Sequence, residues 1–288
     1  MTAPPPIFDT SLIRQRLARA IRTGAADFLL TRTAEDILER LDTLPRSFPA
    51  IADVGTPLPV LRDLLASRWP QAEILRLAPL TEPRPHRIDD FEDLNLAPES
   101  FDLAVSALAL QSVNDLPGAL VQIRRALKPD GLFLGALIGG KTLHELRAVL
   151  TQAETEISGG VSPRVAPFAD VRDMGGLLQR AGFALPVADS DSLTVRYANL
   201  FALMADLRAM GATNALTDRM KTPGTRGFFL RAAALYQERF ADPDGRIRAT
   251  FEIVSLSGWA PHESQQKPAK RGSAQVSLAA ILGDKTPD

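Results

Sequence analysis

A chain of 288 residues, 45% hydrophobic and 23% charged, can bury a sizeable core as one large or two small globular domains. Its formal net charge of −1 removes any global electrostatic argument for nucleic acid or an anionic membrane. The absence of cysteine excludes disulfides, a thiolate nucleophile and a Cys-ligated metal. The three histidines, His86, His144 and His262, fall at no metal-ligand spacing, so no metal is expected. Arginine outnumbers lysine 27 to 6, which reads as a GC-rich genome rather than as a phosphate site. No apolar run approaches the ~20 residues that cross a bilayer, and Met1–Pro6 lacks a secretory pattern, so a cytoplasmic location is expected.

Residues 10–43 read as helical. Over 12–22, Leu12, Ile13, Leu17, Ala20 and Ile21 stand against Arg14, Arg16, Arg19 and Arg22, the pattern of a helix covering a core, with a membrane-surface helix as the alternative. Thr33-Ala34-Glu35-Asp36 opens a second amphipathic stretch that ends at Leu44-Pro45. Short apolar runs then alternate with helices, as in a doubly wound sheet. Strands are predicted at Ala50–Val54, Glu73–Leu77, His86–Asp89 (short), Phe101–Ser106 and Leu132–Ile138, and helices at Val60–Ser67 and Asp115–Leu127. Lys128-Pro129-Asp130-Gly131 has turn chemistry.

Beyond Gly139-Gly140 the pattern changes. Helices are predicted over Thr142–Glu156, Asp170–Ala181, Leu200–Met210 and Phe228–Phe240. Val187–Tyr197 and Ile247–Ser257 read as strands, and the tail from Gly258 as polar and irregular. The expected organisation is an N-terminal helical segment (1–45), a nucleotide-binding core (46–140) and a C-terminal half completing the sheet (141–288).

Ile51-Ala52-Asp53-Val54-Gly55, feeding the helix at Val60, occupies the place where α/β domains open a cofactor site. That turn ordinarily continues with glycines, which let backbone N–H groups close on a ligand. Here Pro57 and Pro59 each remove a donor and fix φ at about −65°. Glu145 and Arg147 follow the fifth strand near the mouth of the sheet, on different helix faces, so at most one points into the cleft. Thr142 either caps that helix or touches a substrate. His262, Ser264, Gln265 and Arg271 cluster in the tail, either as structural groups or as a latch over the cleft. Asp89-Asp90 with Glu92-Asp93 reads as a solvated acidic loop.

Phe101-Asp102-Leu103-Ala104-Val105-Ser106, a helix, and Leu127-Lys128-Pro129-Asp130-Gly131 resemble the class I S-adenosylmethionine-dependent methyltransferases. Val113-Asn114-Asp115-Leu116-Pro117, the run Gly139–Arg147, Ala153-Glu154-Thr155-Glu156, Ser162-Pro163, Pro167-Phe168 and the tail Trp259–Ser277 are similar to one branch. That branch contains the mitochondrial complex I assembly factor implicated in hydroxylating an arginine of an NADH dehydrogenase subunit. The malonyl-[acyl-carrier-protein] methyltransferase of biotin synthesis is a more distant relative.

The resemblance implies a seven-stranded α/β sheet with N-terminal helices and a helical insertion between the last strands. It implies S-adenosylmethionine held by Asp53, Gly55, Asp90 and Gln111, and a protein substrate met by Thr142, Glu145, Arg147, His262, Gln265 and Arg271. It assigns no catalytic residue, and it implies at most peripheral contact with the inner membrane. It implies an assembly factor that hydroxylates or methylates a protein arginine; a non-catalytic, chaperone-like assembly protein and a small-molecule or acyl-carrier-protein O-methyltransferase are the alternatives. Departures bear on the cofactor. The glycine loop keeps only Asp53 and Gly55, Leu77-Ala78-Pro79-Leu80 offers no ribose-binding acid and leaves Glu82 as the nearest candidate, and Gln111-Ser112 replaces a His-Trp pair. Losing a bidentate ribose acid alone costs about 1.5–3 kcal/mol, roughly ten- to a hundredfold in affinity.

Overall fold

Strand order, read across the single sheet, is β3-β2-β1-β4-β5-β7-β6. A computed structural model describes residues 5–80, 87–88, 91 and 93–266 of the chain. The strands are β1 (Ala50–Val54), β2 (Glu73–Ala78), β3 (Arg87–Ile88), β4 (Phe101–Ala107), β5 (Leu127–Ile138), β6 (Ala184–Tyr197) and β7 (Ile247–Trp259). The first five run parallel, and β7 runs antiparallel between β5 and β6. The order reverses between β1 and β4, the switch point outside which open α/β sheets bind ligands.

Period-2 alternation feeds two cores. Leu103, Val105 and Ala107 of β4 pack with α2 (Phe28–Asp42), α3 (Val60–Arg68), α5 (His144–Ser158), α7 (Leu200–Ala209) and α8 (Arg226–Phe240). Ala104 faces the other core, with α4 (Leu116–Ala126) and α6 (Val171–Arg180). α1 (Thr10–Thr23) packs chiefly on α7. As expected, α7 and α8 are inserted between the last two strands. Among the described residues no helix is long and apolar enough to cross a membrane.

Several boundaries differ from expectation for identifiable reasons. The N-terminal helical stretch breaks at Gly24, which sits at φ 92°, and the second helix starts at Phe28 rather than Thr33. Lys128–Gly131 is a kink inside β5 rather than a free turn. Asp130 takes φ 63°, and the segment finds backbone partners at Ala260 on the neighbouring chain segment. β6 starts at Ala184 and β7 ends at Trp259, because Trp259 pairs with both Leu132 and Ala184. Of the predicted third strand, Arg87–Ile88 is observed, and its flanks lie outside the described residues.

Candidate functional site

At the carboxyl ends of β1, β4 and β5 lies a cavity of about 680 Å³, roofed by α1, α2 and α7. Its floor is the turn after β1. Gly55 takes φ 74°, the left-handed value that favours glycine, and its N–H donates to Leu77 O at 2.9 Å. Thr56 is fully buried; its hydroxyl donates to Asp53 and accepts from the Ala107 N–H at 3.2 Å. Asp53 in turn meets Arg76, its register partner on β2, at 2.8 Å, with side-chain exposures of 0% and 1%. Pro57, Leu58 and Pro79 then line the cavity wall.

This arrangement tests the S-adenosylmethionine expected from the sequence. The Gly55 amide is spent on the sheet, Pro57 and Pro59 have no amide hydrogen, and the carboxylate of Asp53 is held by Arg76 and Thr56. Ala78 and Pro79 stand where a ribose-binding acid belongs. The described residues do not fit this cofactor. Among the described lining residues, moreover, every ionisable side chain is an arginine: Arg14, Arg164 and Arg208.

The methyltransferase-domain family model matches residues 71–135. Human "Arginine-hydroxylase NDUFAF5, mitochondrial" is 42% identical over 96% of this chain and 83% of its own length. The zebrafish protein of the same name is 37% identical over 96% and 89%. The chain belongs to the NDUFAF5 family. A malonyl-[acyl-carrier protein] O-methyltransferase of Xylella fastidiosa is 35% identical over 88% of this chain and 89% of its own. The solved YcgJ protein of Bacillus subtilis shares the fold at a TM-score of 0.53 and 14% identity, covering 78% of this chain and 97% of that one.

In this NDUFAF5 family member, Gly55, Gln111 and Thr142 are the sequence-predicted residues that meet at the cavity. Gln111 sits in a 3₁₀ turn (Leu110–Ser112), its Nε2 donating to Leu108 O at 2.7 Å while its Oε1 is buried without a partner among the described residues. Thr142 does not cap α5, whose N-cap is Leu143 at φ 53°. Its hydroxyl instead donates to Glu252 O and accepts from the Glu252 N–H, stapling the Gly139–Thr142 turn to β7.

Neither Glu145 nor Arg147 lines the cavity. Glu145 is buried rather than solvated, accepting from the Thr250 N–H and hydroxyl. Arg147 donates to Ala166 O at 3.2 Å beside a shallow depression that includes Ser162 and Arg164. His262 and Gln265 lie at the opposite end of the sheet: Gln265 donates to Asp130 at the start of β5, and His262 pairs with Ser264. Antiparallel β7 carries the tail there, so its described part does not latch over the cleft. Asp90 and Arg271 lie outside the described residues.

Three features escaped the sequence reading. The Asp53–Arg76 pair had a signal, a lone arginine inside the apolar run Ile74–Leu77 that demands a buried partner. Glu154 is the second: it is buried and accepts from the Ser162 N–H and hydroxyl and from Arg164 at 2.7 Å. Burial pushes its pKa up, but those hydrogen bonds and the Arg164 charge outweigh burial and hold it below the ordinary value. The third is a strap. Phe8 bridges Leu216 and exchanges two hydrogen bonds with the Asn114 amide, at 2.8 and 3.1 Å, closing one side of the cavity.

Proposed function

We propose that this chain serves a respiratory NADH dehydrogenase subunit as an assembly protein, the role its family resemblance implies, and that it does so without S-adenosylmethionine. The observation that carries the reading is the turn after β1, whose acid is committed to Arg76 and whose prolines remove the donors a nucleoside cofactor would need. Identity spread over 96% of the chain supports a shared partner surface rather than a shared cofactor loop alone. The location consistent with this role is the cytoplasm, with no more than peripheral contact with the inner membrane.

A second reading, modification of an arginine in that subunit, is favoured by the relatives' printed name. One experiment addresses both. In a deletion strain, NADH:quinone activity falls; unchanged activity would overturn the assembly role. Mass spectrometry of the subunit separates the readings, since loss of one oxygen from an arginine supports modification and an unaltered arginine supports a chaperone-like role. S-Adenosylhomocysteine at millimolar concentration leaves Tm unchanged. A ligand present at 100 times its Kd would add about 2.7 kcal/mol, so a shift of several degrees would restore the cofactor.

A further inference from the structure

We infer that the capped cavity binds an aliphatic monocarboxylate, with its chain inside and its carboxylate at the rim beside Arg208. The inference goes beyond the proposed function and does not depend on it. The body of the cavity is hydrocarbon: Leu29, Leu146, Leu150, Met204, Leu207 and Phe229 all line it. At about 680 Å³ it falls within the usual range for small-molecule sites. Such a space rewards apolar atoms, at about fourfold in affinity per buried methylene.

The charge of the ligand follows from the lining. A sulfonium entering this site would be desolvated with no carboxylate among the described lining residues to receive it. An anion meets the opposite situation. Arg164 is engaged by buried Glu154 and lies over the Phe228 ring, so its charge is largely answered. Arg208 is exposed near the end of α7 and has no ion-pair partner among the described residues. Arg14 lines the cavity from α1, and the two helices are held close where Gly211, after α7, rests against Leu17; a Cβ there would stand 3.0 Å from the Leu17 Cα. A guanidinium at the mouth of an apolar chamber is a fit for a carboxylate head, which it can grip through two parallel hydrogen bonds.

The test is calorimetric titration of the purified full chain with hexanoate, octanoate and decanoate, and with decanol and decyltrimethylammonium as controls. Affinity should rise about fourfold per methylene along the acid series. Decanoate should bind at least about tenfold more tightly than either control, the usual increment for a hydrogen bond to a charged group. Arg208→Glu should weaken decanoate about tenfold and leave decanol unchanged, whereas Arg208→Lys should retain most of the affinity. Met204→Trp, which fills the chamber, should abolish uptake of acid and alcohol alike. If that variant misfolds, the exposed Arg208 substitutions still decide the matter. Equal binding of the ammonium, no acid binding below millimolar, or an unaffected Arg208→Glu would each overturn the inference. A deletion strain with normal respiration would leave it standing, and absent binding would leave the assembly role standing.

Discussion

Asp53 and Arg76 face each other across β1 and β2 with almost no contact with water. Two charges so placed contribute little net stability as a pair, yet removing one takes from the other a facing charge in a low-dielectric interior, where that loss is costly. Arg76→Met should therefore lower the unfolding free energy by about 3–5 kcal/mol, and adding Asp53→Asn should recover much of that loss. Urea denaturation of the single and double variants measures both, and a neutral Arg76→Met would show that the pair does not hold the turn. Glu154 provides a pH-dependent counterpart. Its folded pKa lies below the unfolded value of about 4.3, so its contribution is complete above that pH and fades as pH falls through the folded value. The wild-type urea midpoint should accordingly drop more steeply below about pH 4.3 than that of Glu154→Gln; parallel acid profiles would remove Glu154 from the account.

The N-terminal strap rests on few contacts. Asn114 accepts from the Phe8 N–H and donates to its carbonyl, while Asp9 N–H bonds Ala215 O and Thr217 N–H bonds Ile7 O. Asn114→Ala removes two of these bonds and should cost the strap about 1–3 kcal/mol locally, seen as faster amide exchange at Asp9 and Thr217 with little change in β4. Nothing in the sequence shows this element, because Phe8 and Asn114 are 106 residues apart. Elements with local signals were legible: Asp115 caps α4 by accepting from the Gly118 N–H, and apolar runs mark β1, β4 and β5. Those decided by distant partners were not, as at Lys128–Gly131, where ladder pairing absorbed a turn-like sequence. Of the residues that line the cavity, Gly55 was singled out by its place after an apolar strand and Gln111 by the family resemblance. The destination of His262 and Gln265 was not legible, because it depends on the direction in which β7 runs.

Across the whole molecule the sheet and its roof are held unequally. β4 and β5 are central strands, paired on both sides and packed into two continuous cores, whereas α1 packs mainly on α7 and borders the cavity. Space beneath a helix forfeits the dispersion contacts that a filled core supplies, so α1 has less apolar contact to lose on opening than any central strand. Among the described residues it is retained by the strap, the close approach of Gly211 to Leu17, the Ala26 N–H to Ala209 O bond, and Arg16 donating to the carbonyls of Thr213 and Asn214. These contacts join α1 to α7 and its following loop, so the two should open together. Native-state hydrogen exchange should then show amides of Thr10–Thr23 and Leu200–Ala209 sharing one opening free energy, below that of β4 and β5. Gly211→Val would lower that shared value in both helices at once. Its Cβ would crowd Leu17, and φ 73° disfavours a β-branched residue. If α1 alone responded, the two helices would open separately; if both exchanged only with the sheet, the roof would be part of a single cooperative unit, and ligand entry would have to proceed without lifting it.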